Sequence, residues 1–340
     1  MCYKPRVNEL PARAEVAIIG GGFAGCATAW ALARRGVQAV VLEREATLGR
    51  YASGRGAGLG RQLAEDDATT ALTVRGAALL RGLPGAWRET GGILTFDDPR
   101  QAEAYVARAQ RHGIAIEAIT AEAARAVWPQ LAALPIAAAL RVPSDGLIEI
   151  SALLPLFSRG ATILYGVTVE RVLPHPAGAR LVTSRGTLDA GTVVDAAGAW
   201  AGMATGDPPL AALKRHLFVL EATVAAGAPY LWHLGREEVY VRGHGEGMLA
   251  CPCDETLEPA GDAVPDPRGA EQLRSRLGGG PAPLEIVRQW ACQRSFTPDR
   301  QMRLGRDPER PWLVWAAGLG GHGATASAAV GERVADAIVT

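Results

Sequence analysis

A glycine-rich turn between two short apolar runs constrains this chain more than any other feature. Residues 15–44 read EVAIIGGGFAGCATAWALARRGVQAVVLER. Val16 to Ile19 is the kind of continuous apolar run that a parallel strand buried on both faces requires. Gly20, Gly22 and Gly25 follow with the spacing G-x-G-x-x-G. The alanine-rich stretch after them predicts a helix ended by Gly36, and Val37 to Leu42 predicts a second buried strand ending at Glu43. Gly20 allows the tight turn, Gly22 lets the backbone approach a pyrophosphate, and Gly25 lets helix and strand pack closely. The helix N-terminus offers free N–H groups and a positive dipole end to an anion. Glu43 lies 18 residues beyond Gly25, where a carboxylate accepts hydrogen bonds from ribose hydroxyls. Strand, turn, helix, strand and terminal acid in that order predict a dinucleotide site. An acid at this position disfavours the 2′-phosphate of NADP and leaves NAD and FAD open.

Charge narrows the partners. Lys plus Arg and Asp plus Glu both total 35, for a formal net charge of zero, whereas a phosphate-neutralising nucleic-acid binder carries a basic surplus. Nucleic acid is not an expected partner. The five cysteines are odd in number and scattered, with Cys2, Cys26 and Cys292 standing alone, so they do not form a disulfide framework. Cys251 and Cys253 make a C-x-C without a second ligand pair at zinc spacing, and no metal is expected. No apolar run reaches the roughly 18 residues of a membrane span. Val16 to Ile19 is too short for a signal-peptide core. The expectation is a reduced, cytoplasmic chain without an integral membrane segment.

Beyond the first unit, the glycine-rich loop Tyr51 to Gly58 has little side-chain bulk and suits backbone contact with a long ligand. Residues 62–83 predict a helix, Thr90 to Phe96 a strand, and Pro99 to His112 an amphipathic helix with proline in its first turn. Residues 161–172 and 179–190 predict strands. Thr192 to Gly198 predicts a further parallel strand, and residues 214–250 a largely antiparallel layer. Cys253 to Ala270, rich in Pro, Gly, Asp and Glu, reads as a loop. Trp312 to Ile338 is a second strand, glycine turn and helix, offering another helix N-terminus to a polar ligand.

These segments together resemble the superfamily of FAD-dependent D-amino-acid oxidases and dehydrogenases, which includes glycine and sarcosine oxidases. The resemblance covers nearly the whole chain. It rests on the N-terminal motif with Glu43-Arg44, the loop Ser53-Gly-Arg-Gly-Ala-Gly58, Val193-Val-Asp-Ala-Ala-Gly-Ala-Trp200, Trp290-Ala-Cys-Gln-Arg-Ser-Phe296 and Gly320-Gly-His-Gly-Ala-Thr325. Lys214-Arg215, Val239-Tyr-Val-Arg242 and Ser327 to Glu332 make it most similar to bacterial D-arginine dehydrogenases. The implied fold is α/β: a Rossmann-like FAD-binding domain (13–83, 141–213 and 290–340) with an inserted, largely antiparallel β-sheet substrate domain (84–140 and 214–289).

The resemblance also implies site residues. Non-covalent FAD is expected on Gly20, Gly22, Phe23, Ala24, Gly25, Glu43 and Arg44, on Ser53, Arg55, Gly56, Ala57 and Gly58, and on Val169, Ala197 and Gly198. Gly318, Gly321, His322, Gly323, Ala324 and Thr325 match the segment that wraps the isoalloxazine ring, where N–H groups and a helix dipole stabilise negative charge. Arg294 matches the arginine that holds the substrate carboxylate, and a guanidinium suits that task by making a bidentate pair. On bare chemistry Arg294 is equally able to pair with a structural acid, and Tyr240 to pack its ring in a strand. Tyr240, Arg215, His216, Gly321 and His322 match positions around the substrate, and Tyr51 lies in a loop that serves as a lid. The chain is shorter than typical members, Ser295 stands where many oxidases have proline, and His322 replaces a tyrosine.

The implied reaction is oxidation of an amino acid, with the D configuration expected, by hydride transfer from Cα to flavin N5. The resulting imine hydrolyses to a 2-oxo acid and ammonia. No catalytic acid or base stands out, so positioning of Cα carries the mechanism. The alternatives are a sarcosine- or glycine-type secondary-amine oxidase, a 2-hydroxy-acid dehydrogenase, and a flavin-binding subunit without turnover. The electron acceptor (oxygen, a quinone or another) is open.

Overall fold

Val16, Ala17 and Ile18 are sealed from solvent at the centre of a parallel sheet, as the apolar run demands. The computed structural model describes residues 9–208, 210–245, 247–277 and 285–340. Cys2 therefore lies outside the described residues, as do positions 246 and 278–284 of the expected substrate domain. The parallel strands run in the order Leu313–Ala317, Gly186–Asp195, Arg13–Ile19, Ala39–Glu43 and Thr162–Tyr165. Two antiparallel strands, Val169–His175 and Gly178–Thr183, extend from the early half of Gly186–Asp195. Arg303–Arg306 closes the other side against Leu313–Ala317. In an open sheet of this kind ligands bind beyond the carboxyl ends of the strands. Here those ends carry Gly20–Gly22, Glu43, Ala197–Trp200 and Gly318–Gly323.

Helix Phe23–Ala33 packs against the C-terminal helix Gly323–Val339, which packs in turn on helix Asp67–Arg81. The approaches are so close that two glycines are obligatory. A Cβ at Gly331 would lie 2.3 Å from the Ala27 carbonyl oxygen, and one at Gly76 would lie 2.0 Å from that of Thr325. The alanine richness of these helices thus follows from backbone-to-backbone packing.

Among the described residues the second sheet has nine strands. Strand Ile286–Phe296 pairs antiparallel with Ala211–Leu220 along most of its length. Ala211–Leu220 continues to Gly247–Cys251, Val239–His244 and Tyr230–His233. A single parallel pairing then joins Tyr230–His233 to Gly92–Phe96, followed by Ala138–Val142 and Glu117–Ile119. Side chains alternate between faces, and the register sorts them. Arg215 opposes Cys292, Leu217 opposes Trp290, Leu213 opposes Arg294, Trp232 opposes Tyr240, and Tyr240 opposes Cys251. These residues share the face turned to the glycine-rich loop at Ala57 and Leu59. The opposite face buries Phe218, Leu220, Val241, Met248 and Ala250 against Ala270 and Leu273 of helix Pro267–Arg276.

Several elements differ from the sequence reading. The helix expected over 62–83 is Asp67–Arg81, because Asp66 caps its start by accepting from Thr69 N and residues 61–66 lie outside any helix. The run 161–172 is split between two strands. The stretch read as a loop contains the start of helix Pro267–Arg276, whose signal was present: Asp266 accepts from Arg268 N and Pro267 opens the first turn. Three of the expected domain boundaries fall inside strands, since Ala138–Val142, Ala211–Leu220 and Ile286–Phe296 all belong to the second sheet.

Gly331→Ala tests the close helix packing. The change adds about 1 kcal/mol of helix propensity, but its Cβ meets backbone that cannot swing aside. The expected net result is a loss of about 1–3 kcal/mol, read as a lower urea midpoint with an unchanged slope.

Candidate active site

Two adjoining cavities open where the sheets face each other, and Gly22, Ala52, Ser53, Gly198, Ala199 and Gln293 line both. A single elongated ligand can therefore run from one to the other. The outer cavity is built on strand ends. Glu43 places Oε2 on Gly21 N at 2.6 Å and accepts from Glu45 N through Oε1 at 2.8 Å, so the carboxylate shapes the glycine turn as well as lining the cavity. Ser53 Oγ accepts from Phe23 N at 2.9 Å. This satisfies one free N–H of a helix whose N-cap, Gly22, has no side chain to do so. Asp195 accepts from Ala197 N and Gly202 N at 3.1 and 2.8 Å, fixing the turn that carries Ala197–Trp200. Arg44 lies over Trp200 with its guanidinium carbon 3.7 Å from the ring centroid, and Tyr51 packs on the same indole at 4.7 Å.

The inner cavity brings loop 56–58 and turn 318–325 against the second sheet. Tyr240, Arg215 and Arg294 line it, as their shared sheet face dictates. Arg215 donates to Glu255 at 2.9 Å and to the Asp254 carbonyl at 3.3 Å. Arg294 Nη1 reaches only the Cys292 sulfur, at 3.3 Å, and its Nε is buried with no partner among the described residues. Burial, together with the charge of Cys251, pushes the Tyr240 phenol well above its ordinary range, so it stays a neutral hydrogen-bond donor. His322 begins helix Gly323–Val339 without capping it through its side chain, leaving first-turn N–H groups facing the cavity.

Most expected residues converge here. Phe23, Ala24, Gly56, Ala57, Gly58, Gly318, Gly321, His322, Gly323, Ala324 and Thr325 line the inner cavity; Gly20, Glu43, Arg44, Arg55, Val169 and Ala197 line the outer one. Three are placed otherwise. Gly25 lines neither cavity and instead packs under the turn, where a Cβ would lie 2.0 Å from the Gly20 carbonyl oxygen. His216 is one residue out of phase with Arg215 and so points to the far sheet face. There Nδ1 meets Asp254 at 2.7 Å and Nε2 accepts from Asp266 N at 3.0 Å. Tyr51 belongs to the outer cavity, its hydroxyl donating to Glu45 at 2.5 Å, and it is not a lid over the inner one. Arg55 ties the glycine loop to the second sheet by pairing with Asp262 at 2.5 Å and donating to the Ala291 carbonyl at 3.2 Å.

Arg61, Trp232 and Gln293 also line the site and were not singled out from sequence. Arg61 is 2% exposed and lies over the Trp232 ring at 4.0 Å. It pairs with Glu65, whose other oxygen meets His322 Nε2 at 2.8 Å. Arg61 and His322 hold the carboxyl of Glu65 below its usual range. Glu238, pushed up by burial, reaches Trp232 Nε1 at 3.4 Å.

The family model for FAD dependent oxidoreductases (DAO) matches residues 15–337. The chain belongs to the DAO family. Glycine oxidase of Geobacillus kaustophilus is 28% identical over 365 positions, covering 96% of this chain and 93% of that protein. Mouse mitochondrial sarcosine dehydrogenase is 24% identical over 385 positions, and the chain, matched over 98% of its own length, spans only 40% of that protein. Among solved structures, L-proline dehydrogenase from P. horikoshii superposes with a TM-score of 0.86 at 24% identity, covering 96% of this chain and 93% of that one. The Geobacillus glycine oxidase gives 0.81 at 25%, covering 97% and 95%. The similarity to D-arginine dehydrogenases in particular rests on the sequence motifs alone.

The residues of this DAO-family chain fit an FAD cofactor. A Cβ at Gly20 would lie 2.7 Å from the Ala196 carbonyl oxygen and one at Gly22 would lie 3.0 Å from Ser53 Oγ, so the turn keeps a bare backbone where a pyrophosphate approaches. The two joined cavities suit the two halves of a dinucleotide. No helix among the described residues is long and apolar enough to cross a membrane.

Beneath Arg61, Asp145 braces the chain between the sheets. It accepts from Gln62 N and Nε2 at 3.1 and 2.9 Å and from the Tyr230 hydroxyl at 2.5 Å. Burial pushes its carboxyl up to about 6, the hydrogen bonds and Arg61 opposing this only in part. The raised value means its contribution to stability is complete below the unfolded pKa of about 4 and is lost as pH rises through about 6. Asp145→Asn should remove that dependence. Relative to the variant, wild type is expected to lose about 2–3 kcal/mol between pH 4 and 7, measured by urea unfolding across that range.

Proposed function

We propose that this protein oxidises an amino acid or N-alkyl amino acid at the carbon bearing the amine, giving an imine that hydrolyses in water. The observation that carries this reading is Arg294, a buried guanidinium in the inner cavity with no carboxylate partner among the described residues. A charge held in that state is a receptor for a substrate carboxylate. Tyr240 beside it is a neutral donor that can share the same carboxylate. Together they fix the orientation of Cα. The family resemblance and the similarity to glycine oxidase support the same class.

FAD, when bound, supplies the two-electron acceptor for the hydride leaving Cα. The chain's own part is to orient and enclose. Gly20–Ala24, Glu43 and the loop 53–58 would hold the cofactor; the N–H groups at Gly323–Thr325 would stabilise negative charge beside it; Arg294 and Tyr240 would hold the substrate. Arg215, paired with Glu255, completes the polar wall. An amine that binds deprotonated needs no protein base. The FAD-binding unit comprises the parallel sheet with its helices and the substrate-binding unit the nine-stranded sheet, and the chain works in the cytoplasm.

Anaerobic mixing with D- and L-amino acids, sarcosine and glycine tests the reading. Bleaching of the oxidised flavin by one class supports it, and the stereochemistry follows from which enantiomer reacts. A yellow protein that none of them reduces would sink it. On admitting air, the rate of colour return separates oxidase from dehydrogenase. Arg294→Ala is expected to keep FAD, whose cradle lies on other elements, while kcat/KM falls by roughly 100-fold or more. Unchanged steady-state kinetics would remove Arg294 from the substrate site.

A further inference from the structure

The inner cavity holds a second guanidinium that the proposed reaction does not use. Arg61 is 2% exposed, and its Nε and Nη1 are buried with no partner among the described residues. Only Nη2 is engaged, by Glu65 and by a 3.5 Å contact with His322. Its position is over-determined. The guanidinium lies 4.0 Å from the Trp232 ring centroid. The next residue, Gln62, is held by Asp145 through both its backbone and its side chain. A flexible surface arginine would place its donors in water; this one keeps two of them dry, on a side chain that lines a ligand cavity, at the cost of desolvation.

Arg61 and Arg294 line one cavity together with an aromatic pair. Arg61 covers Trp232, Trp232 packs on Tyr240 with ring centroids 4.8 Å apart, and Tyr240 and Arg294 come from the same face of the second sheet. Arg61, Arg215 and Arg294 all line the cavity. Glu65 answers Arg61, and Glu255, shared with Arg300, answers Arg215. Arg294 has no answering acid among the described residues, and Arg61 is answered at one nitrogen only. The cavity therefore offers incompletely used guanidinium donors at two residues, Arg294 and Arg61, with the Trp232–Tyr240 pair lining it as well.

We propose that the substrate carries two anionic groups: the α-carboxylate on Arg294 and a second carboxylate, at the far end of its side chain or N-substituent, on Arg61. The substrate class is an amine dicarboxylate, such as an acidic amino acid or an N-carboxyalkyl glycine. Glu65 and Trp232 are positioning residues that hold the Arg61 guanidinium in place. This inference rests on the amine-oxidation reading above.

The test uses the FAD-loaded protein and two sets of probes. Succinate and glutarate, which carry no amine, are titrated against propionate and butyrate by following the flavin absorbance. Aspartate, glutamate and iminodiacetate are compared with asparagine, glutamine and sarcosine in kcat/KM, using both enantiomers where they exist. In wild type the dicarboxylates are expected to bind about 10–100-fold more tightly than their monocarboxylate partners. That preference should collapse in Arg61→Gln and persist in part in Arg61→Lys, which keeps the charge without the fork. Equal affinity for the two ligand classes in wild type would overturn the inference, as would an unchanged preference in Arg61→Gln. The two readings fail differently. If amines reduce the flavin without regard to a second carboxylate, amine oxidation stands and the role of Arg61 falls. If dicarboxylates bind selectively through Arg61 but no amine reduces the flavin, the anion site stands and the proposed reaction falls.

Discussion

The structure depends on backbone meeting backbone. At Gly25 against Gly20, Gly76 against Thr325 and Gly331 against Ala27, a single added carbon would lie within 2.3 Å of a carbonyl oxygen. These contacts set the spacing of the three helices from one another and seat the first of them on the glycine turn, and thereby aim two helix N-termini at one cleft. A looser layer would leave the start of helix Phe23–Ala33 and the first turn after His322 facing water rather than the cleft. The precision of the site is thus inherited from places that carry no functional side chain.

The substrate wall depends on register in the same way. Arg294, Cys292, Arg215, Tyr240 and Trp232 come from four strands and share a face because each pairing keeps phase with the next. A slip of one residue would send all of them to the other side. His216 shows what that other side is: a packed polar seat with both ring nitrogens occupied and Gly269 directly beneath the ring. Arg215 and His216 are adjacent in sequence and serve opposite surfaces of the sheet.

Legibility in the sequence followed the range of the interaction. The nucleotide turn could be read because its glycines, helix and Glu43 lie within thirty residues and each has a local job. Arg294 and Tyr240 were reached through resemblance, since nothing local distinguishes a cavity arginine from a surface one. His216 was misplaced because a motif names residues without stating sheet phase. Arg61 was missed for a different reason. It sits in the polar run GRQLAEDD, where nothing local marks it, and it is covered by Trp232, far away in the chain. Helix Pro267–Arg276 was hidden by the surrounding prolines and acids, although its Asp-Pro start was an ordinary signal.

Two functions meet at Arg55 and explain why the cofactor loop and the substrate wall cannot move independently. Its guanidinium pairs with Asp262 and donates to the Ala291 carbonyl, while its own carbonyl accepts from Trp290 Nε1 at 2.9 Å. The glycine loop that lines both cavities is therefore fastened to the strand that carries Arg294. Gln293, between those contacts, lines both cavities and accepts from Gly261 N at 2.9 Å. Hydride transfer requires the donor carbon and the accepting ring to be held at near-contact distance. A loop so poor in side chains has few contacts of its own to define its position. Tying it to the substrate strand makes the spacing between cofactor and carboxylate receptor a property of one connected unit rather than of two separately fluctuating ones.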